Sequence, residues 1–163
     1  MRTLPRQPSI GDSHYRLSSA TMRDVHAIRR LELVVFPKDA YSYLNLSALL
    51  VWPGSANFKV TTPNDTLIGF VSGTPNFATH MDWIVTLGVH PDHQGRGVGR
   101  QLLDAAEAYM TQDRIRLTVR ESNLAARHLY EVTGYTFAYR ESHYYSDGED
   151  GLVLEKIRVR AQA

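Results

Sequence analysis

Apolar residues recur along this chain at two different spacings, which predicts a protein that contains both helices and strands. A spacing of three and four residues predicts helices, whose ends are indicated by capping residues, prolines and glycines. The predicted helices cover residues 21–35, 41–52, 98–110 and 123–133, the last of them capped by Ser122. Alternating or continuous apolar runs predict strands at residues 15–19, 56–62, 67–72, 81–89, 115–119, 135–141 and 152–158.

The first helix and the strand at residues 81–89 have the most informative patterns. Thr21 followed by Asp24 resembles a helix cap, and a proline at position 37 should end the helix before Phe36. The apolar face of this helix is predicted to comprise Val25, Ile28, Leu31, Leu33 and Val35. The strand at 81–89 is rich in apolar residues along most of its length, so we expect it to be central and buried on both faces.

The segment between this strand and the helix at 98–110, LGVHPDHQGRGVGR, has glycine at positions 95, 97 and 99. Glycine takes positive φ or lets another molecule approach the backbone, so successive N–H groups can converge on an anion. The helix that follows adds its free N–H groups and its dipole. The spacing matches neither the dinucleotide-binding pattern nor the P-loop pattern. The segment therefore predicts a phosphate-binding turn, with an ordinary glycine-rich connection as the alternative.

Composition narrows the classes of function. The 163 residues suffice for one domain, predicted at residues 14–160 behind a flexible arm at residues 1–13. A formal net charge of +1 and the absence of a long apolar window argue against nucleic-acid and membrane partners, and we expect a cytoplasmic protein. There is no cysteine, which excludes a covalent cysteine intermediate. His90 and His93 have no third ligand at a suitable spacing, so we expect no metal site.

The glycine segment resembles the acetyl-coenzyme A signature of the GNAT family of N-acetyltransferases. The resemblance is carried by Gln94-x-x-Gly97-x-Gly99, and by the strings VRESN at residues 119–123 and LYE at residues 129–131. It implies the GNAT fold, a mixed, twisted α/β sheet of six to seven strands with about four helices on both faces. It also implies acetyl-coenzyme A as cosubstrate and, since no cysteine is present, direct attack by an amine in a ternary complex.

The resemblance further implies roles for single residues. The glycine segment would bind the pyrophosphate, and the strand end before it would pair with the pantetheine amides and stabilise an oxyanion. Tyr130 would protonate the departing thiolate as a general acid. From the residues alone, Tyr130 could instead be a packing residue, and Asn123 could bond only to its own backbone. The residues expected to bind the coenzyme are Leu87, Gly88, Val89, Gln94, Gly95, Arg96, Gly97, Val98, Gly99, Arg100, Asn123, Arg127 and Tyr130.

Within the family, the chain is most similar to RimI and its relatives, which acetylate peptide N-terminal amines, from about Tyr15 to Glu155. This implies a protein or peptide α-amine as acceptor, bound by Phe36, Tyr41, Tyr144 and Tyr145, in a monomer or homodimer. Acidic residues at positions 147–150 are expected to attract the cationic peptide end, with a solvated acidic turn as the alternative. A lysine or small-amine acceptor and a non-catalytic acyl-coenzyme A binding domain remain open.

The usual general base is absent. Where RimI has a glutamate this chain has Thr118, and the other position used in relatives lies near Trp83. An α-amine with a pKa of about 7.7–8.0 is roughly one-tenth neutral at pH 7, whereas a lysine amine at about 10.4 is neutral in about one molecule in a few thousand. An α-amine therefore tolerates a weak base better than a lysine does. The candidates for a substitute base are Asp82, His80, His143 and Glu121.

Overall fold

The computed structural model describes residues 14–159, so the predicted arm at residues 1–13 lies outside the described residues. The strands are β1 (Arg16–Ser19), β2 (Ala56–Thr61), β3 (Leu67–Asn76), β4 (Met81–Val89), β5 (Arg114–Arg120), β6 (Thr136–Glu141) and β7 (Gly151–Ile157). The helices are α1 (Val25–Val35), α2 (Tyr43–Val51), α3 (Val98–Tyr109) and α4 (Leu124–Val132), with short 3₁₀ turns at Met22–Asp24 and Pro91–His93.

The strands form one seven-stranded sheet in the order β1-β2-β3-β4-β5-β7-β6. All neighbours are antiparallel except β4 and β5, which are parallel and are connected through α3. A parallel pair needs such a crossover, because its strands cannot be joined by a tight hairpin. The mixed sheet with a central β4 is the one predicted.

Two apolar clusters place helices on both faces of this sheet. On one face, Leu102, Leu103 and Ala106 of α3 and Tyr130 of α4 pack with the strands. On the other face, α1 and α2 pack around Phe70 of β3. The prediction that helices cover both faces of the sheet is therefore confirmed.

No helix within residues 14–159 is long and apolar enough to cross a membrane.

The predicted apolar face of α1 is wrong at one position. Leu33 is 47% exposed, whereas Glu32 is only 3% exposed. The buried stripe follows Ile28, Leu31 and Glu32, at spacings of three and four, and Leu33 projects away from it. Glu32 therefore occupies a core-facing position that a purely apolar pattern does not reveal.

The predicted cap of α4 is also wrong. Asn123, not Ser122, is the N-cap, because its side-chain oxygen accepts a hydrogen bond from Ala126 N at 3.1 Å. The backbone N of Ser122 instead donates to Glu149 Oε1 at 2.8 Å. The helix begins at Leu124, and the asparagine holds the start of α4 against the end of β5.

Candidate active site

The sheet opens between its two parallel strands. β4 and β5 pair only from Met81 to Ile84 and from Arg114 to Leu117. Beyond that point, β4 continues beside β3 as far as Val89, and β5 continues beside β7 as far as Arg120. Each strand therefore follows a different neighbour, and the facing backbone edges diverge into a wedge.

A cavity of about 390 Å³ lies at this wedge. This volume is in the range of small-molecule sites, about 300–1,000 Å³. Its lining includes many of the residues predicted from sequence, and the remaining walls come from both diverging strands. The predicted residues that line it are Phe36, Tyr41, Leu87, Asn123, Tyr130, Tyr144 and Tyr145. The structure thus brings together residues separated by more than a hundred positions in the chain.

A β-bulge shapes the β4 wall. Ser72 pairs with Thr86 and Gly73 with Ile84, so Val85 is an extra residue with no partner in this register. The carbonyl oxygen of Val85 lies 3.5 Å from the hydroxyl of Tyr41. The bulged residue thereby contacts the α1–α2 loop, which carries Tyr41.

The glycine segment follows the wedge at the end of β4. Gly95 and Gly97 have φ of 71° and 80°, and a β-carbon at either position would meet nothing within 4 Å. Gly97 is the left-handed N-cap of α3, with no side chain bonded to the first-turn amides. Gln94 Nε2 donates to Val89 O at 2.9 Å and ties the segment to β4. Free amides, a helix N-terminus and open space fit a phosphate group.

Other predicted coenzyme residues have different surroundings. Gly99 lies inside α3, where a β-carbon would be 3.3 Å from Leu129 Cδ2, so its small size serves the packing of α3 on α4. At Gly88, a β-carbon would lie 3.1 Å from Phe36 Cε2, so this glycine allows α1 to approach β4.

The basic residues around the segment are held by neighbouring groups. Arg96 Nη1 donates to Tyr15 Oη at 3.2 Å, and Arg100 pairs with Asp104 at 3.4 Å. Arg127 Nη1 donates to Glu121 O at 2.8 Å.

Tyr130 reaches the cavity from α4. The residue is only 6% exposed, and its ring lies edge-on to that of Tyr135, with 5.6 Å between the centroids. No hydrogen bond joins its hydroxyl to another residue within 14–159. Burial raises the pKa of Tyr130 above its usual range, so the hydroxyl keeps its proton at neutral pH. A protonated phenol in a cavity wall can give a proton to a leaving group.

Residues 22–135 match the Acetyltransferase (GNAT) family, which is well over half of the chain. The chain belongs to the GNAT acetyltransferase family. It is therefore an N-acetyltransferase, and the acetyl donor that this family uses is acetyl-coenzyme A.

Individual relatives agree with this membership. The enzyme is 29% identical to an uncharacterized N-acetyltransferase of Methanocaldococcus jannaschii over 86% of this chain and 90% of that protein. It is 30% identical to the N-alpha-acetyltransferase RimI of Mycobacterium tuberculosis over 64% of this chain and 75% of the relative. The structure of the ribosomal-protein-S18-alanine N-acetyltransferase of Escherichia coli is similar, with a TM-score of 0.78, 26% identity and coverage of 91% and 96%.

In this GNAT enzyme, Arg120 at the end of β5 joins two loops that line the cavity. Its Nε and Nη2 donate to both carboxylate oxygens of Asp39 at 2.8 and 2.9 Å. Its Nη1 donates to Glu149 at 2.6 Å and to Asp147 at 3.0 Å, and its guanidinium lies 4.0 Å from the ring centroid of Tyr145. One arginine therefore holds the α1–α2 loop and the β6–β7 loop together.

The acidic residues of the β6–β7 loop are not free, contrary to expectation. Asp147 also pairs with Lys38, at 3.1 Å, and Asp150 pairs with Arg140, at 2.9 Å. Hydrogen bonds from Lys38 and Arg120 hold the pKa of Asp147 well below its usual range. The pKa of Glu149 is lowered as well, first by its hydrogen bonds with Ser122 and also by Arg120. These carboxylates stabilise the loops through ion pairs, and their attraction of a cationic peptide end stays a prediction.

The four candidates proposed as a substitute base do not line the cavity. Asp82 is 1% exposed and accepts a hydrogen bond from Gln112 N at 2.9 Å. His80 and His143 are exposed turn residues with positive φ, and Glu121 is paired with Arg140 at 2.7 Å.

Two carboxylates that the sequence did not reveal line the cavity, Asp39 of the α1–α2 loop and Glu32 of α1. Asp39 is bound by Arg120, whereas Glu32 is not. Glu32 is held by two other donors. Its Oε1 accepts from the hydroxyl of Thr86 at 2.7 Å, and its Oε2 accepts from Tyr41 N at 3.3 Å. Burial raises the pKa of Glu32, opposed in part by these two hydrogen bonds and by Arg29. The signal in the sequence was a glutamate spaced four residues from Ile28 on an otherwise apolar face.

Among the described residues, no group of three or more histidine, cysteine, aspartate or glutamate side chains could hold a metal ion. His90 and His93 lie near each other, with ring centroids 5.9 Å apart, and His93 Nδ1 is 2.7 Å from the hydroxyl of Tyr15. His90 Nδ1 also accepts a hydrogen bond from Asp92 N at 3.2 Å, so both rings have protein partners.

Proposed function

We propose that this GNAT enzyme transfers the acetyl group of acetyl-coenzyme A to the α-amine of a protein or peptide N-terminus. The observation that carries the proposal is the single cavity in which Tyr130 and the diverging strands meet the aromatic residues of two loops. The similarity to an N-alpha-acetyltransferase and to an S18-alanine N-acetyltransferase supports this choice of acceptor. We place the reaction in the cytoplasm.

The coenzyme would lie along the wedge and the start of α3. Its pyrophosphate would meet the amides that follow Gly97, and its pantetheine arm would extend along the open edge of β4 near Leu87 to Val89. Asn123 and Ala126 line the opposite side of the cavity from α4. The bound thioester supplies an activated acyl carbon, so no residue of this chain has to be acylated.

Tyr130 is proposed as the general acid. Its hydroxyl belongs to a buried side chain of the cavity wall and has no partner among the described residues. In that position it can give its proton to the coenzyme sulfur as the thioester is cleaved. Since the chain has no cysteine, the amine attacks the thioester directly, in a complex that contains both substrates.

The acceptor would enter between the α1–α2 loop and the β6–β7 loop. The aromatic walls there are formed by Phe36, Tyr41, Tyr144 and Tyr145. The acidic side chains of the two loops that bond Arg120 are Asp39, Asp147 and Glu149. Such walls can hold an extended peptide end by burial of its first side chain. A highly charged polyamine would find few free carboxylates in this cavity.

Three matched acceptors test the proposal. The first is a peptide with a free N-terminus and no lysine, the second is the same peptide blocked at the N-terminus and carrying one lysine, and the third is a linear polyamine. We expect the free N-terminus to give the highest rate of coenzyme A release at pH 7, by at least tenfold. A higher rate with the lysine peptide or the polyamine would contradict an α-amine acceptor, while leaving the enzyme an N-acetyltransferase.

A further inference from the structure

We propose that Glu32 is the general base, the group that accepts the proton lost by the attacking amine nitrogen, directly or through one water molecule. This inference rests on the acetyl transfer proposed above and applies to whichever amine the enzyme prefers. It gives a role to a buried carboxylate on α1 that packing alone does not require.

The position of Glu32 distinguishes it from every other carboxylate near the site. Of the described residues that line the cavity, three are charged: Glu32, Asp39 and Arg120. Asp39 is bound at both oxygens by Arg120, so it has little capacity to accept a proton. Glu32 makes no ion pair within residues 14–159, and each of its oxygens accepts a single hydrogen bond, which leaves a lone pair on each.

The surroundings of Glu32 hold it in a defined orientation. Thr86 comes from β4, one residue after the bulge at Val85, and its hydroxyl is buried with the carboxylate. The backbone N of Tyr41 comes from the α1–α2 loop, which also supplies an aromatic wall of the cavity. These two donors fix the carboxylate between the two parts of the site, the wedge and the acceptor loops.

The electrostatics are those of a carboxylate that can take up a proton. Arg29 on the same helix and the hydroxyl of Tyr41 are the titratable groups that interact with Glu32, and β4 presents only the neutral Thr86 to it. Burial is the largest influence and raises the pKa of Glu32, which makes its ionised form a stronger base than an exposed glutamate.

With Glu32 as the base and Tyr130 as the acid, each proton that moves in the reaction has a donor and an acceptor. The amine nitrogen bonds to the acetyl carbon, and the bond from that carbon to sulfur breaks. Glu32 takes the proton that the nitrogen loses, and Tyr130 gives its proton to the sulfur. The proton on Glu32 then returns to the Tyr130 oxygen through water in the cavity, so both residues are restored. An acceptor that arrives as an ammonium ion first releases its extra proton to solvent.

The test uses Glu32→Gln with the acceptor that the wild-type enzyme acetylates fastest. Glutamine fits the site, because its oxygen can accept from Tyr41 N and its amide can donate to the Thr86 hydroxyl, which can also accept. We expect kcat to fall by roughly 10² or more, with coenzyme affinity within about twofold of wild type. Glu107→Gln is the matched control, a buried carboxylate of α3 outside the cavity that is bonded to Tyr135 and Lys156 and whose loss should leave kcat unchanged.

The pH profile separates a proton acceptor from a structural residue. For the wild type, log kcat/KM should rise with a slope of two below the pKa of Glu32, because both Glu32 and the amine must lose a proton, and with a slope of one above it. For Glu32→Gln the slope should be one throughout. A variant that keeps kcat within about threefold of wild type, or keeps the slope of two, would overturn the assignment.

Thr86→Val provides a second route if Glu32→Gln does not fold. It removes a hydrogen bond that favours the ionised carboxylate, so the break between the two slopes should move to higher pH. An unmoved break would overturn the assignment in the same way. If the preferred acceptor is not an N-terminal amine, the proposed acceptor fails, and the Glu32 test still gives its own result.

Discussion

Arg120 donates two hydrogen bonds, of 2.8 and 2.9 Å, to the carboxylate of Asp39, which lies 81 residues away in the sequence. The contact joins the end of β5, which forms one wall of the wedge, to the loop after α1. The arginine side chain is only 16% exposed, and its remaining donors hold the β6–β7 loop. The same side chain therefore connects the β5 wall of the cavity to both loops that flank it.

Arg120→Lys should weaken acceptor binding more than coenzyme binding. Lysine keeps the charge but loses the planar fork that reaches two carboxylate oxygens at once. We expect KM for the acceptor to rise about tenfold, because the two loops are no longer held together, while coenzyme affinity changes by less than about twofold. Steady-state kinetics and calorimetry measure the two quantities separately.

Arg140→Lys is the control for this substitution. Arg140 also contacts two carboxylates, Glu121 and Asp150, but its side chain is 43% exposed and does not line the cavity. Its replacement should leave KM for the acceptor nearly unchanged. Equal effects at the two arginines would contradict a specific role for Arg120 in the acceptor site.

Tyr130→Phe should reduce turnover by roughly 10² to 10⁴ with coenzyme binding nearly intact, since the ring is kept and only the hydroxyl is lost. Tyr135→Phe is the matched control, because Tyr135 packs against Tyr130 and donates to Glu107 at 2.9 Å. That control should lower the thermal midpoint and keep turnover. Wild-type turnover in Tyr130→Phe would show that Tyr130 is a packing residue and not the general acid.

Gly97→Ala should lower coenzyme affinity about tenfold, or about 1.4 kcal/mol, as measured by calorimetry. The φ of 80° disfavours any side chain, and the new methyl group would stand in the open space beside the first amides of α3. Gly134→Ala introduces comparable backbone strain, at a φ of 98°, away from the cavity. Gly134→Ala should therefore keep wild-type affinity for the coenzyme. If Gly97→Ala keeps it too, the segment does not bind the phosphates.

Glu32→Gln should also change how stability depends on pH. The pKa of Glu32 is raised in the folded state, so its contribution to stability is fully present below the unfolded value of about 4.3 and is lost as pH rises through the folded value. Glutamine does not ionise and avoids this loss. The thermal midpoint of the variant should therefore increase relative to that of wild type as pH rises from about 4 to 8. A difference between the two thermal midpoints that does not change with pH would contradict the raised pKa of Glu32.

The sequence predicted the elements that have strong local signals. The bounds of β4, Met81–Val89, match the predicted strand, because nearly continuous apolar residues end in a proline-containing turn. The glycine segment and the α3 helix were also predicted, since positive φ and a helix start have local signatures. Placement of Tyr130 in the cavity followed from the family resemblance and agrees with the structure.

The contacts that the sequence did not reveal are those between distant segments. Glu32 was missed because its partner Thr86 lies 54 residues away and a single glutamate on a helix is normally read as exposed. The pairing of Arg120 with three carboxylates was missed for the same reason. β4 and β5 stop pairing where β4 continues beside β3 and β5 continues beside β7. No local sequence pattern encodes the position at which this pairing ends.

One peptide that carries both a free α-amine and a lysine gives the most direct test of the central claim. Both amines then share one complex, one concentration and one assay, and tandem mass spectrometry of the singly acetylated product locates the acetyl group. We expect the α-amine to carry nearly all of it at pH 7, with a rate that climbs toward the pKa of the amine. Acetyl found mainly on the lysine would contradict the proposed acceptor.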